Sequence, residues 1–274
     1  MASPTEISVP QLARLIGLPE APMIIDVRID DDFNTDPFLV PGARRFFRYQ
    51  DVAVWGPSLR AKPIIAVCRE GRKLSQGVAA WLRNDGVDAQ SLEGGTEAWR
   101  ASREIAVRAE KIPRLDTQGR SVWVTRARPK IDRIACPWLI RRFIDPSAVF
   151  LFVSPPEVSF VADRFGATPF DIDDVFWSHR GDRCTFDIML DEFGLETKPL
   201  RQLALIVRGA DTARLDLAPQ AAGLLAVSLG YSRMFKDDLV QLDAAMSLYD
   251  ALYRWCRDAT DEGHNWPTST KPAM

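Results

Sequence analysis

The passage from residue 64 to residue 86 limits most strongly what this chain can fold into. Ile64-Ile65-Ala66-Val67 is a β-branched run without polar alternation, which reads as a strand of a parallel sheet covered on both faces. Leu74, Val78, Trp81 and Leu82 then recur at helical spacing, and Asn84-Asp85-Gly86 closes that helix. Between the two lies only Cys68-Arg69-Glu70-Gly71-Arg72-Lys73, room for one tight turn. A strand entering a helix through such a turn belongs to an α/β fold. It puts the turn at the carboxyl end of the strand, where open parallel sheets carry their sites.

The residues of the turn suit one kind of chemistry. Gly71 accepts backbone angles closed to other residues, so the turn can curl around the cysteine sulfur. Its backbone N–H groups would then form an anion-binding nest, with positive potential added by the start of the following helix. An ordinary thiol of pKa near 8.5 is about 3% ionised at pH 7, so a cysteine nucleophile needs such surroundings. The competing reading makes Cys68 a small buried hydrophobe at a strand end. The crowding of Arg69, Arg72 and Lys73 favours the nucleophile, because burying cations beside an inert thiol costs desolvation without compensation.

Around this unit, Met23 to Val27 reads as another strand, and Thr5 caps a first helix with Leu12, Leu15 and Ile16 inward. The acidic stretch from Ile29 to Asp36 reads as a solvated loop. Arg44 to Tyr49 is basic and aromatic, with Phe46 and Phe47 assigned to the core. A short strand at Ala89 to Leu92 and a Gly94-Gly95 turn follow.

These segments resemble the rhodanese sulfurtransferases. The six-residue loop Cys-Arg-Glu-Gly-Arg-Lys is similar to that family's active-site loop, and Ile24-Ile25-Asp26-Val27-Arg28 to its first core strand. Pro41-Gly42-Ala43 and Leu92-Glu93-Gly94-Gly95-Thr96-Glu97-Ala98-Trp99 resemble its proline–glycine–alanine turn and its closing signature, in family order. The resemblance implies a parallel sheet flanked by helices. It also implies Cys68, Arg72 and Lys73 as catalytic residues, and Arg69, Glu70, Gly71 and Arg28 as the donor-binding set. Lys73 stands where the family more often has arginine or threonine. The implied reaction moves sulfane sulfur from a donor such as thiosulfate through a Cys68 persulfide to a thiol or cyanide, with no cofactor. A cysteine phosphatase also uses a thiolate in an amide cradle, but it needs an arginine six positions on, where this chain has Leu74.

With 274 residues, the chain has room for two domains. The expected division is a rhodanese-like unit over 1–105, a linker over 106–120, a second unit over 121–260 and a frayed tail over 261–274. A formal net charge of −2 gives no general attraction to nucleic acid or to anionic membranes. No apolar run is long enough to span a bilayer and the start lacks a signal-peptide pattern, so a cytoplasmic protein is expected. Cys68, Cys136, Cys184 and Cys256 are too scattered for a zinc ribbon or a disulfide framework.

The second unit opens at Val122-Trp123-Val124 and then turns mainly helical, an α+β pattern. Helices are expected over 187–193, 199–207, 219–229 and 237–257, the last with Leu239, Leu242, Met246, Tyr249, Leu252 and Tyr253 on one face. The block from Thr125 to Asp145, taken alone, reads as a salt-bridged helix with one wet face. Together with Ser178-His179-Arg180-Gly181-Asp182-Arg183-Cys184-Thr185-Phe186-Asp187 and Ile206-Val207-Arg208-Gly209-Ala210-Asp211, it resembles the carboxy-terminal domain of the ChrB chromate-resistance family. His179, Cys184, Asp187 and Asp211 are ligand types that a divalent zinc- or iron-type ion accepts. Arg126, Arg128 and Arg133 offer forked groups for an oxyanion such as chromate. The alternative to sulfur transfer is therefore a chromate or redox-stress sensor, or an oxyanion- or metal-binding regulator.

Overall fold

The computed structural model describes residues 3–45, 48–59 and 62–263. The first half runs β1 (Glu6–Ile7), α1 (Val9–Leu15), β2 (Met23–Asp26), α2 (Asp30–Thr35), β3 (Phe38–Leu39), β4 (Ala43–Arg44) and α3 (Val52–Trp55). It continues through β5 (Ile64–Val67), α4 (Lys73–Asn84), β6 (Ala89–Leu92), α5 (Gly95–Ala101) and β7 (Val107–Arg108). A parallel sheet of order β1-β6-β5-β2-β4 forms its centre. β5 occupies the middle, hydrogen-bonded on both edges and covered on both faces, so all of its side chains are buried. That is the environment a continuous β-branched run requires.

Three local expectations change. Ser8, not Thr5, precedes the first helix, and Gln11 Oε1 accepts from the Ser8 amide at 3.0 Å. The acidic stretch is the helix α2, whose first turn carries Asp30, Asp31 and Asp32 at the positive end of the helix dipole. On α4, Val78 and Leu82 face the core, but Trp81 is 49% exposed. Phe46 and Phe47 lie outside the described residues, as does the tail from residue 264 on.

The second half contains β8 (Val122–Arg126), α6 (Asp132–Leu139), β9 (Val149–Val153), α7 (Val158–Phe165), β10 (Thr168–Pro169), α8 (Thr185–Phe193), α9 (Lys198–Asp211), α10 (Ala221–Met234) and α11 (Asp238–Arg254). β10, β8 and β9 form a small parallel sheet, and the remaining helices pack against one another. α6 is no wet helix: Asp132 and every residue from Ile134 to Leu139 are buried, and Trp138 meets Phe143, Tyr249 and Tyr253. The α11 stripe buries Leu242, Met246, Tyr249 and Tyr253, while Leu239 remains half exposed.

The stretch expected to link the halves is tied to both. β7 pairs antiparallel with β3, and Arg108 donates to the Asp191 carbonyl of α8 at 3.0 Å. Gly42 N–H donates to the Phe143 carbonyl at 2.6 Å, and a Cβ on Gly17 would stand 2.4 Å from Phe143 Cζ. Leu12, Leu39, Leu92 and Trp99 share one apolar cluster with Trp138, Phe143 and Phe193, so the two halves have a common core. Among the described residues, no helix is long and apolar enough to cross a membrane.

Candidate functional site

Cys68 follows the last residue of β5, and α4 begins five residues later. Two glycines shape the loop between. Gly71 has φ +69°, and an added Cβ would meet the Leu92 carbonyl at 2.4 Å and the Gly94 and Gly95 amides at 2.6 and 2.5 Å. Gly95, at φ +59°, would meet the Cys68 carbonyl at 2.2 Å. Only hydrogen fits at either position. The start of α5 closes on the loop from the other side: Thr96 N–H donates to the Cys68 carbonyl and Glu97 N–H to that of Arg69, both at 3.0 Å.

The sulfur lies at the base of this loop with 5% of the residue exposed, against aliphatic neighbours that include Val27, Val52 and Val78. Its polar neighbours are the Ser75 hydroxyl at 3.1 Å and the Arg72 carbonyl at 3.5 Å. The expected ring of amides does not close on Sγ itself: among the described residues, no backbone N–H donates to it. Yet the amides of residues 69–75 have no acceptor anywhere among the described protein groups. A stretch of unengaged donors at a helix N-terminus is a site for an anion larger than a lone thiolate.

The basic side chains divide. Arg69 reaches outward to Glu97 Oε1 at 2.7 Å and Asp32 Oδ1 at 3.5 Å, and these contacts raise its pKa, the Glu97 hydrogen bond foremost. Arg72 and Lys73 are exposed and make no ion pair among the described residues, so their charge is available at the loop mouth. Glu70 is exposed as well. Arg28, expected in the donor-binding set, is turned into the fold instead. Its guanidinium is fully buried, holds the Asp26 carboxylate through Nε at 2.9 Å, and donates to the carbonyls of Asp36 and Phe38. Asp26→Ala strands that cation without its counter-ion, and a loss of about 3–5 kcal/mol is expected in urea unfolding. At the carboxyl end of β2, beside β5, a cleft of about 730 Å³ is lined by Arg45, Arg48 and Tyr49 among others.

In the second half, the four residues expected to bind metal do not converge. Cys184 is the residue before α8, fully buried, and its thiol donates to Asp187 Oδ2 at 3.3 Å. Burial raises the Cys184 pKa strongly, with Asp132 and Asp187 adding to it, so the sulfur holds its proton. Asp187 also faces Arg208 Nε at 3.7 Å. His179 and Asp211 do meet, at 3.3 Å, but with Asp171 and Asp132 as their company. The close carboxylates of Asp132, Asp171 and Asp211, Asp132 foremost, push the His179 pKa up to about 12, while burial pushes Asp132 upward against the opposing pull of His179. Sequence spacing missed Asp132 and Asp171 because neither stands at a helical or metal-ligand spacing from His179, and only the packing of α6 against α8 and α9 brings them to it.

The oxyanion trio is split. Arg126 and Arg133 both face Asp171 Oδ2, at 3.7 and 3.3 Å. Arg128 turns away to the Phe235 and Ser232 carbonyls at the end of α10.

Comparison with known proteins follows this division. The rhodanese-like domain model matches residues 8–102, and the model for the C-terminal domain of ChrB matches residues 123–256. Protein ChrB of Cupriavidus metallidurans is 40% identical over 149 residues, covering 53% of this chain and 44% of its own length. The chain thus matches less than half of that curated relative. Among solved structures, a rhodanese-related protein from Thermoplasma volcanium is 18% identical with a TM-score of 0.32, covering 37% of this chain and 96% of its own. A rhodanese-like domain protein from Staphylococcus aureus is 26% identical with a TM-score of 0.31, covering 35% of this chain and 90% of its own.

Proposed function

We propose, from the premise that this chain joins a rhodanese-like domain to a ChrB C-terminal domain, that it is a sulfurtransferase working through Cys68. The observation that carries the reading is the run of unengaged amides over residues 69–75, above a cysteine at the carboxyl end of the central strand. The Cys68 thiol gives its proton to solvent, and the thiolate attacks the outer sulfur of thiosulfate. The new S–S bond forms as the old one breaks, and its electron pair leaves with sulfite. The persulfide's terminal sulfur carries negative charge and stands one bond further out than Sγ, towards the loop amides, which stabilise it. A thiolate acceptor, or cyanide in the assay, then takes that sulfur and returns Cys68 as thiolate. Ser75 supplies a hydroxyl beside the sulfur throughout. No metal enters either step.

Arg72 and Lys73 attract and orient the dianionic donor, since they alone among the loop's cations lack a carboxylate partner among the described residues. The double replacement Arg72→Ala, Lys73→Ala is expected to raise KM for thiosulfate by about tenfold or more, the scale of one or two charge-assisted contacts. Arg69→Ala is expected to stay within about twofold, because its charge is already spent on exposed pairs. Initial-rate kinetics over a thiosulfate series distinguish the two, and equal effects would remove the assigned roles.

A second reading, a chromate- or redox-responsive module, draws on the core shared by the two halves, which offers a path from the Cys68 domain to the ChrB-like one. Calorimetric titration with chromate tests it on the same preparation. Heat of binding without any sulfur transfer would reverse the ranking.

A further inference from the structure

We propose that the second half binds one divalent first-row transition ion, of the manganese-to-zinc series, through Asp132, His179 and Asp211. The site lies outside the Cys68 loop and is independent of the sulfur-transfer reading. Asp132 begins α6, Asp211 ends α9, and His179 comes from the irregular stretch before α8. One ligand atom from each falls within 4.8 Å of the others.

Hydrogen bonding alone leaves this arrangement unexplained. His179 Nε2 stands 3.3 Å from Asp171 Oδ1, 3.3 Å from Asp211 Oδ2 and 3.5 Å from Asp132 Oδ2. A single N–H points at one acceptor, and all three distances exceed the 2.7–3.2 Å range of a good N–H···O bond. Donors about 2.1 Å from a common centre at tetrahedral angles stand about 3.4 Å apart, which matches the distances from Nε2 to Asp211 and Asp132.

The second observation concerns Asp132 itself. The residue is 0% exposed, and its Oδ1 is buried without any hydrogen-bond partner. Its Oδ2 accepts from Thr185 N–H at 2.7 Å and, more weakly, from Phe186 N–H at 3.4 Å, which fixes the carboxylate. A buried carboxylate oxygen left bare is costly, and a cation resolves that cost where no donor stands. Asp171 is differently placed: Thr185 Oγ1 donates to its Oδ1 at 2.8 Å, and Arg133 and Arg126 face its Oδ2. With its charge already answered by these donors, it is left out of the ligand set. His179, 42% exposed, gives the ion a way in.

One imidazole with two carboxylates suits manganese, iron(II) or zinc better than calcium or copper(I). Three protein ligands also leave coordination positions open, as catalytic and substrate-binding sites do and closed structural sites do not.

The test uses the full chain, freed of metal by chelator and titrated separately with Mn²⁺, followed by the electron paramagnetic resonance of free Mn²⁺, and with Zn²⁺ by calorimetry. One equivalent is expected to bind in at least one titration. His179→Ala and Asp211→Asn are expected to weaken it by about tenfold or more. Both are partly exposed, and circular dichroism verifies that they fold. Asp187→Asn is expected to leave binding unchanged, because that carboxylate is turned to Cys184 and Arg208. Absence of binding in both titrations, equal binding in the His179 and Asp211 variants, or loss confined to Asp187→Asn would each overturn the assignment.

Discussion

Cys68→Ser is expected to bring sulfur transfer from thiosulfate down to the uncatalysed background, a fall of at least about a thousandfold. No other residue in the loop can take its place, since the reaction needs an atom that forms and then releases an S–S bond. Stability should change little, because a hydroxyl nearly matches the thiol in size and retains Ser75 and the Arg72 carbonyl as hydrogen-bond partners. Mass spectrometry of the native protein after thiosulfate is expected to find one added sulfur on the peptide containing Cys68. The same treatment of the serine variant should add none. Sulfur on another cysteine, or turnover retained by Cys68→Ser, would refute the mechanism.

Gly95→Ala is the second large expected effect, and it separates the loop's shape from its nucleophile. The added methyl lies 2.2 Å from the Cys68 carbonyl, 2.4 Å from the Gly71 amide and 2.5 Å from the Arg69 carbonyl, all backbone atoms without a flexible end to yield. A φ of +59° adds strain for any residue with a Cβ. The loop must shift as a unit, carrying its amides and the cysteine with it. A loss of about 2–4 kcal/mol is expected in urea unfolding, and misplacement near 1 Å at a reacting centre costs about a hundredfold in rate. Gly77→Ala, on exposed α4 surface with nothing within 4 Å of the new methyl, is expected to stabilise by about 0.5–1 kcal/mol. If both variants behave alike, the loop tolerates reshaping and the reading built on its geometry is wrong.

The elements legible beforehand share one property: their signal is local. Ile64 to Val67 announces a doubly covered strand, Gly71 announces the turn and Val78 with Leu82 announces the helix, each within a few residues of its neighbours. Local reading failed where a nearby partner reversed the expected preference. The acidic run from Asp30 forms a helix instead of a loop because three carboxylates gather at its positive end, with Arg45 and Arg69 paired to Asp30 and Asp32. The Arg28 side chain lies among buried neighbours because Asp26, two residues earlier, neutralises it there.

What the chain determined by itself was the strand–loop–helix unit bearing Cys68, and the order of its two halves, since backbone periodicity and turn chemistry act over a few residues. Only the tertiary structure decided that the halves share a core, that Arg69 is spent while Arg72 and Lys73 are not, and that His179 faces Asp132, Asp171 and Asp211 rather than Cys184 and Asp187. The physical reason is convergence. The start of α6, the end of α9 and two irregular segments meet because their apolar faces pack, and nothing in the spacing of charged residues records which ones that packing brings together.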